Sequence, residues 1–159
     1  MHRARTHYLT AIAAGIGVTF FMPAVPGVCD LYPEPSRASA DLADALRTAV
    51  ASHRRVIVDF GGNWCTDCHV LEAYLHDPAN QPLLEENFVL VHVNVGRMDR
   101  NLDIAAQYRI PVKKGVPALA VLEADGRILY SQSGGEFENM RGMRDAAVTA
   151  FLIRWKPDA

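Results

Sequence analysis

Polar and apolar positions alternate between two rhythms along the chain. From Asp41 the apolar residues Leu42, Leu46, Ala49 and Val50 recur at helical spacing, with Ser39 or Asp41 as candidate caps. His53, Arg54 and Arg55 close that helix, where cations suit the negative end of its dipole. Val56 to Phe60, VIVDF, is short, β-branched and bounded by Gly61 and Gly62, the pattern of a buried strand. A helix over Cys65 to His76 and a short one over Gln81 to Asn87 follow, and Phe88 to Val95 forms a second strand. Asn101 is placed to cap a helix reaching Tyr108. Ala118 to Leu122 and Ile128 to Gln132 are two further strands, and Asp125-Gly126 between them predicts an antiparallel hairpin. Met140, Met143, Ala147, Phe151 and Trp155 mark one face of a last helix. Helices between strands imply parallel pairing, with the hairpin as an antiparallel edge. The expected fold is α/β: a three-layer sandwich around a small mixed sheet.

The N-terminus follows a different logic. Arg3 and Arg5 precede an apolar run from Tyr8 to Phe21, and Pro23, Pro26 and Gly27 break it. A basic start, a short apolar run and small residues describe a secretory signal peptide over residues 1–27, cut after Gly27. Two alternatives share the pattern: an uncleaved anchor, since Tyr8 to Val28 carries no charge, and a lipidated Cys29. Residues 28–40 then form a polar lead-in, and residues 41–159 one domain. Export would place the protein in a periplasmic or other oxidising compartment.

Composition narrows the function. The 159 residues are 50% hydrophobic and 21% charged, enough apolar content for a core. A net charge of −2 lacks the basic excess of a nucleic-acid binder, so no nucleic-acid partner is expected. Three cysteines are too few for a disulfide scaffold. Two of them, Cys65 and Cys68, form a C-x-x-C pair where a strand hands over to a helix. Unpaired amides and partial positive charge at a helix start stabilise a thiolate, so Cys65 is a candidate nucleophile and Cys68 a candidate resolving thiol.

With VIVDFGGNWCTDC, the late Val116-Pro117 before a strand, and HDPANQPLLEENFVLVHVNV, the chain resembles the thioredoxin-like superfamily. It is also similar to the C-terminal thioredoxin-like domain of DsbD-type thiol:disulfide interchange proteins. The resemblance implies protein thiols and disulfides as substrates, no cofactor, and a membrane thiol conductor as electron partner for a reductant. It implies that Cys65 attacks, that Cys68 resolves with Asp59 as a buried base, and that Trp64 packs beside the pair. Pro117 would be a cis-proline facing the disulfide, with the Val116 backbone pairing to an extended substrate. The chain departs from thioredoxin at Thr66 and Asp67 between the cysteines, at Gly61 and Gly62 before them, and at Lys113 and Lys114 before Pro117. Thr66 and Asp67 are tuning positions. Asp67 brings a like charge towards the Cys65 thiolate, which favours a reductase or electron relay over a strong oxidant.

Several residues have plainer readings. His92 inside an apolar strand reads as a satisfied core histidine, and Met98, Met140 and Met143 as loop and core residues. Lys113 and Lys114 read as a solvated loop. Two other functions share the motif. Cys65 to His69, CTDCH, fits a c-type haem attachment site. A thioredoxin-like adaptor would keep the disulfide only as a structural staple. A zinc site using both cysteines and His69 is disfavoured by their crowding on one helix.

Overall fold

The computed structural model describes residues 30–158. The signal-peptide reading of residues 1–27 and the role of Cys29 lie outside them. Among the described residues, four strands form one mixed sheet in the order β2-β1-β3-β4. The helices are α1 (Ala38–Ser52), α2 (Thr66–Leu75), α3 (Gln81–Asn87), α4 (Leu102–Gln107) and α5 (Asp145–Trp155). The strands are β1 (Arg55–Gly61), β2 (Phe88–Asn94), β3 (Ala118–Leu122) and β4 (Ile128–Ser131).

Strand alternation divides the core in two. Val56, Val58 and Phe60 of β1 pack with Leu42, Ala45 and Ala49 of α1. Ile57 turns to the other side, among Leu71 and Leu75 of α2 and Val148, Phe151 and Leu152 of α5. A period of two puts Asp59 and Gly61 on the Ile57 face, beneath α2. A polar residue thus lies inside β1, a central strand buried at every position after Arg55.

Strand direction differs from the expectation at β3. β1 and β2 are parallel, with Asp59 opposite His92. β3 lies beside β1 but runs antiparallel to it, with Phe60 opposite Ala118, so the antiparallel part begins in mid-sheet. α4 has six residues and rises about 9 Å, well short of a seven-residue strand. It crosses the end of the sheet without carrying the chain back to the start of β1. The β3–β4 pair is the expected antiparallel hairpin.

Three local expectations also change. α1 begins at Ala38, after a 3-10 turn over Pro35–Arg37, and neither Ser39 nor Asp41 caps it. Asp41 instead pairs with Arg37. Asn101 precedes α4 in the left-handed region, and its side chain caps nothing there. Met140 belongs to a 3-10 turn and Met143 to the bend after it, so neither is in α5. Met140 is nevertheless wholly buried. Arg54 and Arg55 serve structure: Arg54 donates to the carbonyls of Glu85 and Phe88, and Arg55 to those of Trp155 and Lys156. Among the described residues no helix is long and apolar enough to cross a membrane.

Candidate active site: a buried disulfide above an acid network

β1 ends at Gly61, and a tight turn returns the Cys65 amide to the Gly62 carbonyl at 2.9 Å. Cys65 becomes the N-cap of α2, extended, with its sulfur accepting the Cys68 N–H at 3.1 Å. That bond uses one of the free amides of a helix start, the group that would hold a thiolate. Cys65 and Cys68 are joined as a disulfide, their Cα atoms 5.3 Å apart. The two differ in access. Cys65 lines an open groove, whereas Cys68 is wholly buried.

The groove has a volume of about 550 Å³. Trp64, Thr66 and Asp67 line it on the α2 side, Val116 and Lys114 on the opposite side, and Met98 reaches it from the loop after β2. The Val116–Pro117 bond is cis. The Val116 carbonyl oxygen lies 3.5 Å from Cys65 Sγ. Gln132, 1% exposed, holds this loop from behind: its side chain accepts the Leu119 N–H at 3.1 Å and donates to the Pro117 carbonyl at 3.3 Å. Trp64 is 41% exposed, so it borders the groove and is not core. Its indole N–H donates to the Gly96 carbonyl at 2.5 Å, and the Arg97 guanidinium stacks on its ring. Lys114 donates to the Ser133 carbonyl, which ties the loop to the segment after β4.

Across Gly61 from Cys68 begins a connected set of polar side chains. Asp59, 1% exposed, accepts the Tyr32 hydroxyl at 2.5 Å and the His92 Nδ1 side at 3.0 Å, both on Oδ2. Asp59 Oδ1 is buried without a hydrogen-bond partner. His92 Nε2 lies 3.6 Å from Glu72 of α2. Burial alone would lower the His92 ionisation, but the hydrogen bond and charge of Asp59, with the charge of Glu72, raise it above the ordinary histidine value. His92 is thus a partner of the buried acid and not merely a satisfied core residue. Sequence reading passed over Tyr32, Glu72 and Gln132. Only the i,i+4 spacing of Cys68 and Glu72, which puts both on one face of α2, was a signal for any of them.

Two expectations about the site change. Asp67 is not a lone charge beside Cys65. It accepts the Arg141 backbone N–H at 3.0 Å and pairs with that guanidinium at 3.2 Å. The backbone bond, then the guanidinium, hold its carboxyl below the usual range despite some burial. Gly61 is small because a Cβ there would stand 2.5 Å from Tyr32 Cζ and 2.8 Å from Cys68 Sγ. The haem reading does not fit these residues. Cys68 has no exposed face for a porphyrin thioether, and the His69 ring is bonded to the Asn63 carbonyl at 2.9 Å. Among the described residues, no three His, Cys, Asp or Glu side chains are grouped to hold a metal.

A C-x-x-C disulfide capping a helix, opposed by a cis-proline loop on a mixed α/β sheet, defines a thiol–disulfide oxidoreductase. The chain belongs to the thioredoxin-like family, whose model matches residues 37–124. A solved disulphide isomerase from Xylella fastidiosa Temecula1 is 35% identical, with a TM-score of 0.73 over 78% of this chain and 95% of that one. The thiol:disulfide interchange protein DsbD of Pseudomonas fluorescens is 30% identical over 125 residues, 75% of this chain. A thioredoxin of Buchnera aphidicola is 32% identical over 72 residues, 45% of this chain. The chain spans 19% of the length of that DsbD and 59% of that thioredoxin.

Proposed function

We propose that the protein is an exported oxidoreductase that exchanges disulfides with protein substrates, working as a reductase or electron relay. The observation that carries this reading is the asymmetry of the pair: Cys65 borders the groove, while Cys68 is wholly buried. In the reducing direction, the Cys65 thiolate attacks a substrate disulfide and forms a mixed disulfide. Cys68 loses its proton towards Asp59 and attacks Cys65. The Cys65–Cys68 bond forms, the mixed disulfide breaks, and the substrate leaves as a dithiol. The Val116 carbonyl, beside Cys65, offers a backbone acceptor to an extended substrate strand, and Pro117 shapes that edge. Trp64 walls the groove, and Thr66 with Asp67 tunes the thiolate.

The direction rests on charge. Glu72 stands one helical turn beyond Cys68 on α2, and Asp59 bonds the Tyr32 hydroxyl beside it. The two acids share the imidazole of His92, and among the described residues no lysine or arginine pairs with either. Negative charge disfavours a thiolate, and with it the reduced form. Export rests on the pattern of residues 1–27, and a membrane thiol conductor as electron donor rests on the kinship with part of DsbD. Equilibration of the pair with glutathione tests the direction. A potential near the ~−270 mV of reducing thioredoxins is expected, and one near the ~−120 mV of a strong oxidant contradicts it. Failure to catalyse insulin reduction by dithiothreitol contradicts the function itself and favours the adaptor.

A further inference from the structure

Tyr32 comes from the segment ahead of α1, yet it is 1% exposed and reaches Asp59. Three asparagines fix that segment. Asn63, two residues before Cys65, accepts the Tyr32 N–H and donates to its carbonyl, each at 2.8 Å. Asn94 donates to the Pro33 carbonyl and Asn101 to that of Pro35, each at 2.9 Å. The ring meets His92 edge-on at 5.1 Å. Gly61, having no side chain, leaves the phenol and the resolving cysteine on either side of one small space. A Cβ on Gly61 would collide with both the Tyr32 hydroxyl end and Cys68 Sγ, so the two border the same space over Gly61, one too small for a methyl group. From that position the hydroxyl already donates to Asp59 Oδ2.

We propose that Tyr32 is a further catalytic residue, whose hydroxyl relays the Cys68 proton to Asp59 while the mixed disulfide is resolved. The proposal rests on the reading that Cys68 resolves. The Cys68 S–H bond breaks and its proton goes to the Tyr32 oxygen, as the Tyr32 proton goes to Asp59 Oδ2. The Cys68 thiolate then attacks Cys65 Sγ, and the substrate leaves as a thiolate carrying the bond's electron pair. One proton has moved from Cys68 to Asp59, and the cysteine pair has lost the two electrons that the substrate disulfide gained. Tyr32 passes the proton without resting as a phenolate, because burial and then the charge of Asp59 raise its ionisation well above the ordinary value. The charged groups around it are Asp59 on β1, His92 on β2 and Glu72 on α2, and α1 adds Asp41 and Asp44 to the cleft outside His92.

The full reduced chain, mixed with 5,5′-dithiobis(2-nitrobenzoate), separates the two steps. Attack by Cys65 releases the first nitrothiolate, and attack by Cys68 releases the second. Tyr32→Phe keeps the ring and removes the relay. Its first phase should match wild type, while its second should slow by about a hundredfold or more near neutral pH. The deficit should shrink as rising pH lets solvent deprotonate Cys68. Tyr32→Phe in an Asp59→Asn background should slow the second phase no further, since both act on one proton path. In wild type, the second phase should show a curved proton inventory in mixed light and heavy water. An unchanged second phase at every pH, equal slowing of both phases, or a linear inventory would each overturn the relay. If wild type releases only the first equivalent, Cys68 does not resolve, and the proposed function fails instead.

Discussion

Arg141 lies 74 residues from Asp67 in sequence, yet it neutralises the acid two positions beyond Cys65. Arg141→Ala removes that cation and leaves the backbone N–H in place. The Asp67 charge then faces the Cys65 thiolate unscreened by its partner. Positions two apart on a helix are about 6 Å apart, and an effective dielectric of about 20–80 gives an opposition of ~0.7–2.8 kcal/mol. The Arg141 side chain is 66% exposed, so the weaker half of that range applies. It corresponds to about half to one unit in the Cys65 titration. The helix start contributes only about 0.3–1 kcal/mol in the other sense, so its help is cancelled or reversed. Ultraviolet thiolate absorbance of the reduced variants across pH reads the effect. Arg141→Ala should form its thiolate at higher pH than wild type, and Asp67→Asn, which leaves the cation alone, at lower pH. The double variant should fall between them. An Arg141→Ala titration that is unchanged or moves downward would refute the reasoning.

Gly61→Ala forces a methyl against Tyr32 and Cys68, and overpacking of this kind destabilises by about 1–3 kcal/mol; thermal unfolding should show a lower Tm, and an unchanged Tm would mean that the space is open. His92→Gln tests the acid network through pH. Because the folded protein raises the His92 ionisation, its contribution to stability is present in full below the unfolded value of about 6.5 and is lost as pH rises through the folded value. The Tm difference between wild type and His92→Gln should therefore be larger near about pH 5.5 than near about pH 8.5. A difference that grows with pH contradicts the pairing.

The features legible in the sequence are those fixed by neighbours along the chain. β-branched runs marked β1 and β2, Asp125-Gly126 marked the hairpin, and WCTDC after a strand marked the helix start with its nucleophile. The unread features depend on what packs from afar. Nothing local says that α4 turns the chain round the end of the sheet instead of returning it. Asn101 has the residue type of a cap, but its amide is committed to the carbonyls of Pro35 and Asn94. Asp67 read as an isolated charge because Arg141 reaches it only through the fold. Tyr32 sits in a stretch whose prolines and charges suggest a polar lead-in, and only the fold, through its bond to Asp59 and its place over Gly61, shows that it belongs to the site.

The central claim is that Cys65 alone makes the covalent bond with substrate and that Cys68 breaks it. Cys68→Ser, mixed with a disulfide-bonded protein such as insulin and analysed by mass spectrometry, tests it most directly. The account predicts a stable adduct through Cys65 that dithiothreitol releases, and no adduct with Cys65→Ser. A Cys68→Ser protein that keeps full multiple-turnover activity without accumulating an adduct would contradict it.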